Sequence, residues 1–136
     1  MKAENGEVEF NSEVGFVFEA IDYSHTPVVL SRATWQTKAG NSGPGEHPEV
    51  RDYLDAVRIT IEKPDLVFQS TRDPRSRLFY RLSMGRGRFT GKHLVVVVKY
   101  VTEPAGIRGY VSTLYLSRTI YARGRQLWPI MEISDD

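Results

Sequence analysis

Residues 72–99 read RDPRSRLFYRLSMGRGRFTGKHLVVVVK, and the fold is decided in this stretch. Leu94-Val95-Val96-Val97-Val98 is a short apolar run rich in valine, the pattern of a central strand buried on both faces. Arg77 to Ser83 and His93 to Val101 read as a hairpin pair around the loop Met84-Gly85-Arg86-Gly87-Arg88. Within residues 72–93, seven cations (Arg72, Arg75, Arg77, Arg81, Arg86, Arg88 and Lys92) stand against one acid, Asp73. Positive charge concentrated on a rigid sheet suits an anionic polymer better than a small neutral metabolite.

The formal net charge of +1 conceals this segregation. Residues 1–22 sum to −5, residues 72–93 to +6, residues 108–125 to +4 and residues 126–136 to −3. Such asymmetry points to contact with nucleic acid or membrane, unless the acidic ends fold back on the basic face.

At 136 residues the chain is expected to form a single domain over residues 1–136. Its core is expected over 27–128, with an acidic N-terminal β-hairpin at 1–23 and a short C-terminal tail at 129–136. The absence of cysteine removes disulfides, thiolate metal sites and cysteine nucleophiles together. The opening MKAENGEVEF lacks the apolar region of a signal peptide, and Leu94–Val98 is too short to span a bilayer. A cytoplasmic protein with no membrane partner is the expectation.

Outward from the basic stretch, the elements are those of an α+β protein. From Glu7 to Tyr23 the apolar residues alternate loosely around Asn11-Ser12, as in a hairpin or two edge strands. Pro27-Val28-Val29-Leu30 leads into Ser31, an N-cap for a short helix through Lys38. A glycine-rich loop, 39–45, follows. Pro48 and Glu49 carry helix-start signals, and Val50, Tyr53, Leu54, Val57 and Ile61 form one stripe up to Glu62-Lys63-Pro64. Asp65 to Gln69 and Gly109 to Ser117 read as further strands. The fold class expected is an antiparallel sheet of about four strands, packed on one face by N-terminal helices.

Taken in order, His47-Pro48-Glu49-Val50, the helix, Pro64-Asp65-Leu66-Val67, Leu78-Phe79-Tyr80-Arg81, Val95-Val96-Val97-Val98-Lys99 and Val111-Ser112-Thr113-Leu114-Tyr115 form a series of blocks. That series resembles the phage-associated branch of the barnase/EndoU/colicin/RelE-like nuclease superfold, over about Pro27 to Trp128. The resemblance implies a small metal-independent ribonuclease or toxin of phage or bacterial origin, working on RNA with the sheet face its helices leave free. It also allows an inhibitory immunity or antitoxin protein as a partner. Where it leads one to expect a histidine in the short helix, this chain reads Trp35-Gln36-Thr37-Lys38.

Metal-free RNA cleavage needs a base for the 2′-OH, an acid for the 5′-oxygen and cations for the phosphate. His47 is the acid/base candidate, since imidazole titrates near neutrality. Strand alternation puts Arg77, Phe79 and Arg81 on one side and Leu78, Tyr80 and Leu82 on the other. The second set reads as core, so Arg77 and Arg81 are expected on the RNA face with Lys99, Thr113 and Tyr115. Arg81 or Lys99 would clamp the phosphate; Thr113 or Tyr115 would bond a nonbridging oxygen or orient a base.

Arg86, Arg88 and Lys92 on the hairpin tip, with Arg118 and Arg123 near Tyr121 and Trp128, are expected RNA contacts. His25 and His93 are weaker candidates. No histidine pair has the spacing of a metal site, so neither metal nor cofactor is expected. The leading expectation is therefore an endoribonuclease cleaving through the RNA 2′-OH. Its rivals are a non-catalytic RNA- or ribosome-binding module on the same fold, and a phage interaction or structural domain.

Overall fold

The structure, a computed structural model, describes residues 15–40 and 47–130. Within them run β1 (Phe16–Ile21), β2 (Pro27–Ser31), α1 (Arg32–Ala39), a 3₁₀ segment (Pro48–Tyr53), α2 (Leu54–Glu62), β3 (Leu66–Gln69) and β4 (Ser76–Arg81). A 3₁₀ turn (Gly87–Phe89), β5 (His93–Glu103), β6 (Gly106–Ser117) and β7 (Gln126–Trp128) complete them. The described strands form one sheet in the order β1-β2-β6-β5-β4-β3-β7. The protein is α+β as expected, but the sheet is larger and mixed: seven described strands, with β2 parallel to β6 and the other pairs antiparallel. This architecture is not specifically that of barnase. Among the described residues no helix is long and apolar enough to cross a membrane.

The central expectations hold. Ser31 caps α1, its Oγ accepting the Thr34 N–H at 3.0 Å. Val50, Tyr53, Val57 and Ile61 are buried against the sheet and Leu54 is half-buried, but the segment from Pro48 is 3₁₀ until Tyr53 and α-helical only from Leu54. The break falls at Tyr53, whose backbone (φ −114°, ψ 21°) leaves helical geometry.

Three strands extend the sheet beyond the expected four. Val28, Val29 and Leu30, which lead into the helix, themselves form β2 and are fully buried. A Cβ on Gly109 would lie 2.8 Å from Val98 Cγ1 and 3.0 Å from Val28 Cγ2, so glycine is what lets β2 close on β6. The hairpin expected around Asn11-Ser12 lies outside the described residues. The described hairpin joins β1 and β2 through Asp22–Thr26. Its buried Asp22 accepts from Ser24 N–H at 2.7 Å, Ser24 Oγ–H at 2.8 Å, Thr26 N–H at 2.9 Å and Tyr100 O–H at 2.6 Å. β7 adds a short strand beyond β3.

The two sides of the sheet carry two clusters. Between the helices and the sheet, Val57 and Ile61 of α2 pack with Phe79, Leu94, Val96, Val98, Leu114 and their neighbours. On the other side Phe68, Tyr80 and Val95 pack with Leu66, Leu78, Val97, Tyr115 and Ile120. This reverses the side assigned to β4. Phe79, opposite Val96, faces the helices together with Arg77 and Arg81, whereas Leu78 and Tyr80 face away. Phe79 and Tyr80 are both 0% exposed, so alternation identified the two sets correctly but could not say which lay under the helices.

Candidate nucleic-acid interface

The face opposite the helices is not bare. After β6 the chain turns back as a strap, residues 118–125, that crosses this face to reach β7 beyond β3. Ile120 anchors it on Phe68, Tyr80 and Val95, and the Tyr121 N–H donates to Tyr80 Oη at 3.0 Å. Between the strap and the turn after β3 opens a cleft of about 870 Å³. Leu78, Val97, Thr113 and Tyr115 form its floor; Thr71, Arg72 and Asp73 line one wall and Tyr121, Arg123 and Gly124 the other.

The turn wall is built to hold its shape. Ser70 Oγ accepts the N–H groups of Arg72 at 3.1 Å and Asp73 at 3.2 Å. Gln69 Nε2 donates to the carbonyls of Pro74 and Ser76, each at 3.0 Å. Asp73 accepts from Arg75 N–H at 3.0 Å and Ser76 Oγ–H at 3.1 Å, with Lys99 Nζ 3.7 Å away. The Arg75 backbone bond, then the Ser76 hydroxyl and the charges of Lys99 and Arg75, hold its carboxyl below the usual aspartate range. The carboxylate is thus engaged within its own turn, while the exposed Arg72 side chain is left facing the cleft.

The chemistry available is that of cations, hydroxyls and aromatic faces. Among the described residues neither Arg72 nor Arg123 has a carboxylate within ion-pair distance. Burial pushes the Tyr115 phenol up from its ordinary value, Tyr80 and Tyr121 add to this, and the Arg72 charge opposes it. Tyr115 therefore stays a neutral hydrogen-bond donor at physiological pH.

Thr113, Tyr115 and Arg123 line the cleft, and Lys99 lies beside it on the same face. The register of β5 against β6 slips by one between Val97 and Val98, leaving Ser112 as the extra residue. That slip is why Tyr110 and Tyr115, an odd number of residues apart, share a face. His47 sits at the margin: its ring centroid is 5.4 Å from that of Tyr115, and its Nδ1 is 3.5 Å from Glu49 Oε2.

The remaining candidates lie elsewhere. Arg81 is on the opposite face from Lys99, so the expected cleft joining His47, Arg81, Lys99 and Thr113 does not form. Its Nη1 donates to the Lys63 carbonyl at 2.8 Å, at the end of α2, where a cation is favoured by the helix dipole. Arg77 stacks on Tyr100 at 4.6 Å and donates to Tyr23 Oη at 3.2 Å. Arg86 lies over Tyr53 at 4.7 Å, and Arg88 and Lys92 lie over Phe89 at 4.9 and 5.4 Å. Met84 and Phe89 of this tip pack on the helix-side core, which carries the tip away from the cleft. Arg118 is exposed at the start of the strap.

Arg72, Asp73 and Tyr121 line the cleft without having been singled out for it. Their signal was present, in the basic run for the first two and in the alternation of arginines with Tyr121 for the third. What was missing was the path of the strap. No known protein family, no curated protein and no solved structure matches this chain.

Proposed function

We propose that this protein binds single-stranded RNA through the cleft between the turn at 70–76 and the strap at 118–125. One observation carries the reading: two arginines without described carboxylate partners, two tyrosines and several hydroxyls share a single concave surface. Unpaired bases offer faces to stack on tyrosine, and the backbone offers phosphates to arginine, which is the usual division of labour in single-strand recognition. A duplex, with its bases already stacked, would make only the phosphate contacts.

The test is equilibrium binding of fluorescent single-stranded RNA across a salt series. Each phosphate neutralised contributes a log–log slope of about −0.7, so Arg72, Arg123 and Lys99 together give about −2. Absence of binding at low salt, or an affinity indifferent to salt, overturns the proposal.

A second reading, cleavage, is favoured by His47 against Tyr115 at the cleft margin. His47 would take the 2′-OH proton as the 2′-oxygen bonds to phosphorus and return it to the 5′-oxygen as the phosphorus–5′-oxygen bond breaks, while Tyr115 and the cleft cations stabilise charge on the phosphorus oxygens. This is the activity of the barnase/EndoU/colicin/RelE-like nucleases, here without Arg81 as clamp. Incubating mixed RNA with the protein in chelator, followed by mapping of 2′,3′-cyclic phosphate ends, tests it directly. Intact RNA leaves the binding reading alone.

A further inference from the structure

The cleft is closed at one end. Its walls converge where the Gln69 N–H donates to the Arg125 carbonyl at 2.8 Å. Beside that bond a Cβ on Gly124 would lie 1.8 Å from the Gln69 carbonyl oxygen, so the two backbones are already in contact. No polynucleotide backbone can pass between strap and turn at this point. A strand lying along the cleft floor must therefore either leave over a wall or stop.

We infer that the cleft receives the phosphorylated end of an RNA strand, an inference that rests on the RNA reading above and specifies which part of the polymer enters. Size agrees: about 870 Å³ lies within the range of a pocket for one small ligand, room for the last nucleotide or two and not for a long tract. Charge agrees as well. A terminal phosphate monoester carries close to two negative charges at neutral pH, because its second ionisation lies near pH 6, whereas each internal diester carries one.

Arg72 on the turn and Arg123 on the strap both line the cleft, and two planar guanidinium forks suit the three free oxygens of a monoester. Asp73, the acid in the lining, is turned to Lys99, Arg75 and Ser76 and does not oppose them. Tyr115 and Tyr121 remain for the terminal base.

The experiment compares one short RNA in four forms: 5′-phosphorylated, 3′-phosphorylated, hydroxyl at both ends, and covalently circular. Binding is measured at one salt concentration with the folded parent, Arg72→Ala and Arg123→Ala, circular dichroism confirming each fold. One of the two phosphorylated forms is expected to bind at least ten-fold more tightly than the hydroxyl-ended and circular forms, and that form identifies the end. Both substitutions should reduce the preference to within about two-fold. Circular RNA binding as tightly as every linear form overturns the inference while leaving RNA binding standing. A preference that survives both substitutions overturns it too. Failure of all four forms to bind overturns the RNA reading and this inference together.

Discussion

The two faces of the sheet use the same amino acids for different ends. On the helix side, Arg77 lies on Tyr100, Arg81 donates into the end of α2 and Arg86 lies over Tyr53. On the strap side, Arg72 and Arg123 stand across a cleft with no described carboxylate in reach. The difference teaches that a basic segment is not one surface. Cations in residues 72–93 divide between those held by carbonyls, rings or carboxylates of the fold, such as Arg77, Arg81 and Arg75, and those left facing the cleft, such as Arg72.

The strongest way to break this comparison is at β4. Phe79→Ala removes a fully buried ring from the helix-side core and should cost about 3–5 kcal/mol in denaturant unfolding. Thr113→Ala, on the half-buried cleft floor, should cost under about 1 kcal/mol. Equal costs would mean that the faces are not divided into a structural and a binding side.

His47 sharpens it next. If the protein cleaves RNA, His47→Ala should lower the rate by roughly 10²–10⁴-fold and leave RNA affinity nearly unchanged. Comparable losses of rate and affinity would make His47 a binding residue of the margin and not an acid or base.

The arginines should separate cleanly. Arg81→Ala is expected to cost about 1 kcal/mol of stability, through the bond lost at the end of α2, and to leave RNA affinity within two-fold. Arg72→Ala should do the reverse, keeping stability within about 0.5 kcal/mol and reducing the salt slope by about 0.7. A loss of RNA affinity in Arg81→Ala would restore that residue to the site.

Smaller effects follow from pH, one at each side of neutrality. Burial, then the bond and charge of Asp22, push the Tyr100 phenol well above its ordinary value, with Arg77 opposing. The unfolded chain loses that proton near pH 10 and the native state keeps it, so this stabilisation is complete below about pH 10 and declines as pH rises beyond it. Urea midpoints should fall between pH 9 and 11, with a shallower fall in Tyr100→Phe. Asp73 works in the other direction. Its carboxyl is held below the usual aspartate value, so its contribution to the turn is present above about pH 4 and is lost as pH falls further. Protection of the Arg75 and Ser76 amides, relative to the exchange rate of the unfolded chain at each pH, should fall there, and Asp73→Asn should remove that pH dependence.

Much of the fold was legible locally. Ser31 as a cap, the stripe from Val50 to Ile61 and the hairpin of β4 and β5 depend on neighbours a few residues apart, and each appears within a residue or two of its expected bounds. The pairing of Pro27–Ser31 with β6 and the short β7 were not legible, because each depends on a partner distant in sequence. The site divided along the same line. Thr113, Tyr115 and Arg123 line one cleft, whereas Arg77 and Arg81 lie on the helix side of the sheet and not on the side expected for them.

What the sequence by itself determined was periodicity and inventory: which residues share a strand side, where a helix begins, and how charge is distributed along the chain. A period of two separates Arg77, Phe79 and Arg81 from Leu78 and Tyr80 without naming either side. Only the tertiary structure decided that, by laying α2 over Phe79 and the strap over Tyr80, so that both rings lost all contact with water. The reason is physical: burial is set by what covers a strand, and here the two covers come from chain segments lying on either side of β4 in sequence.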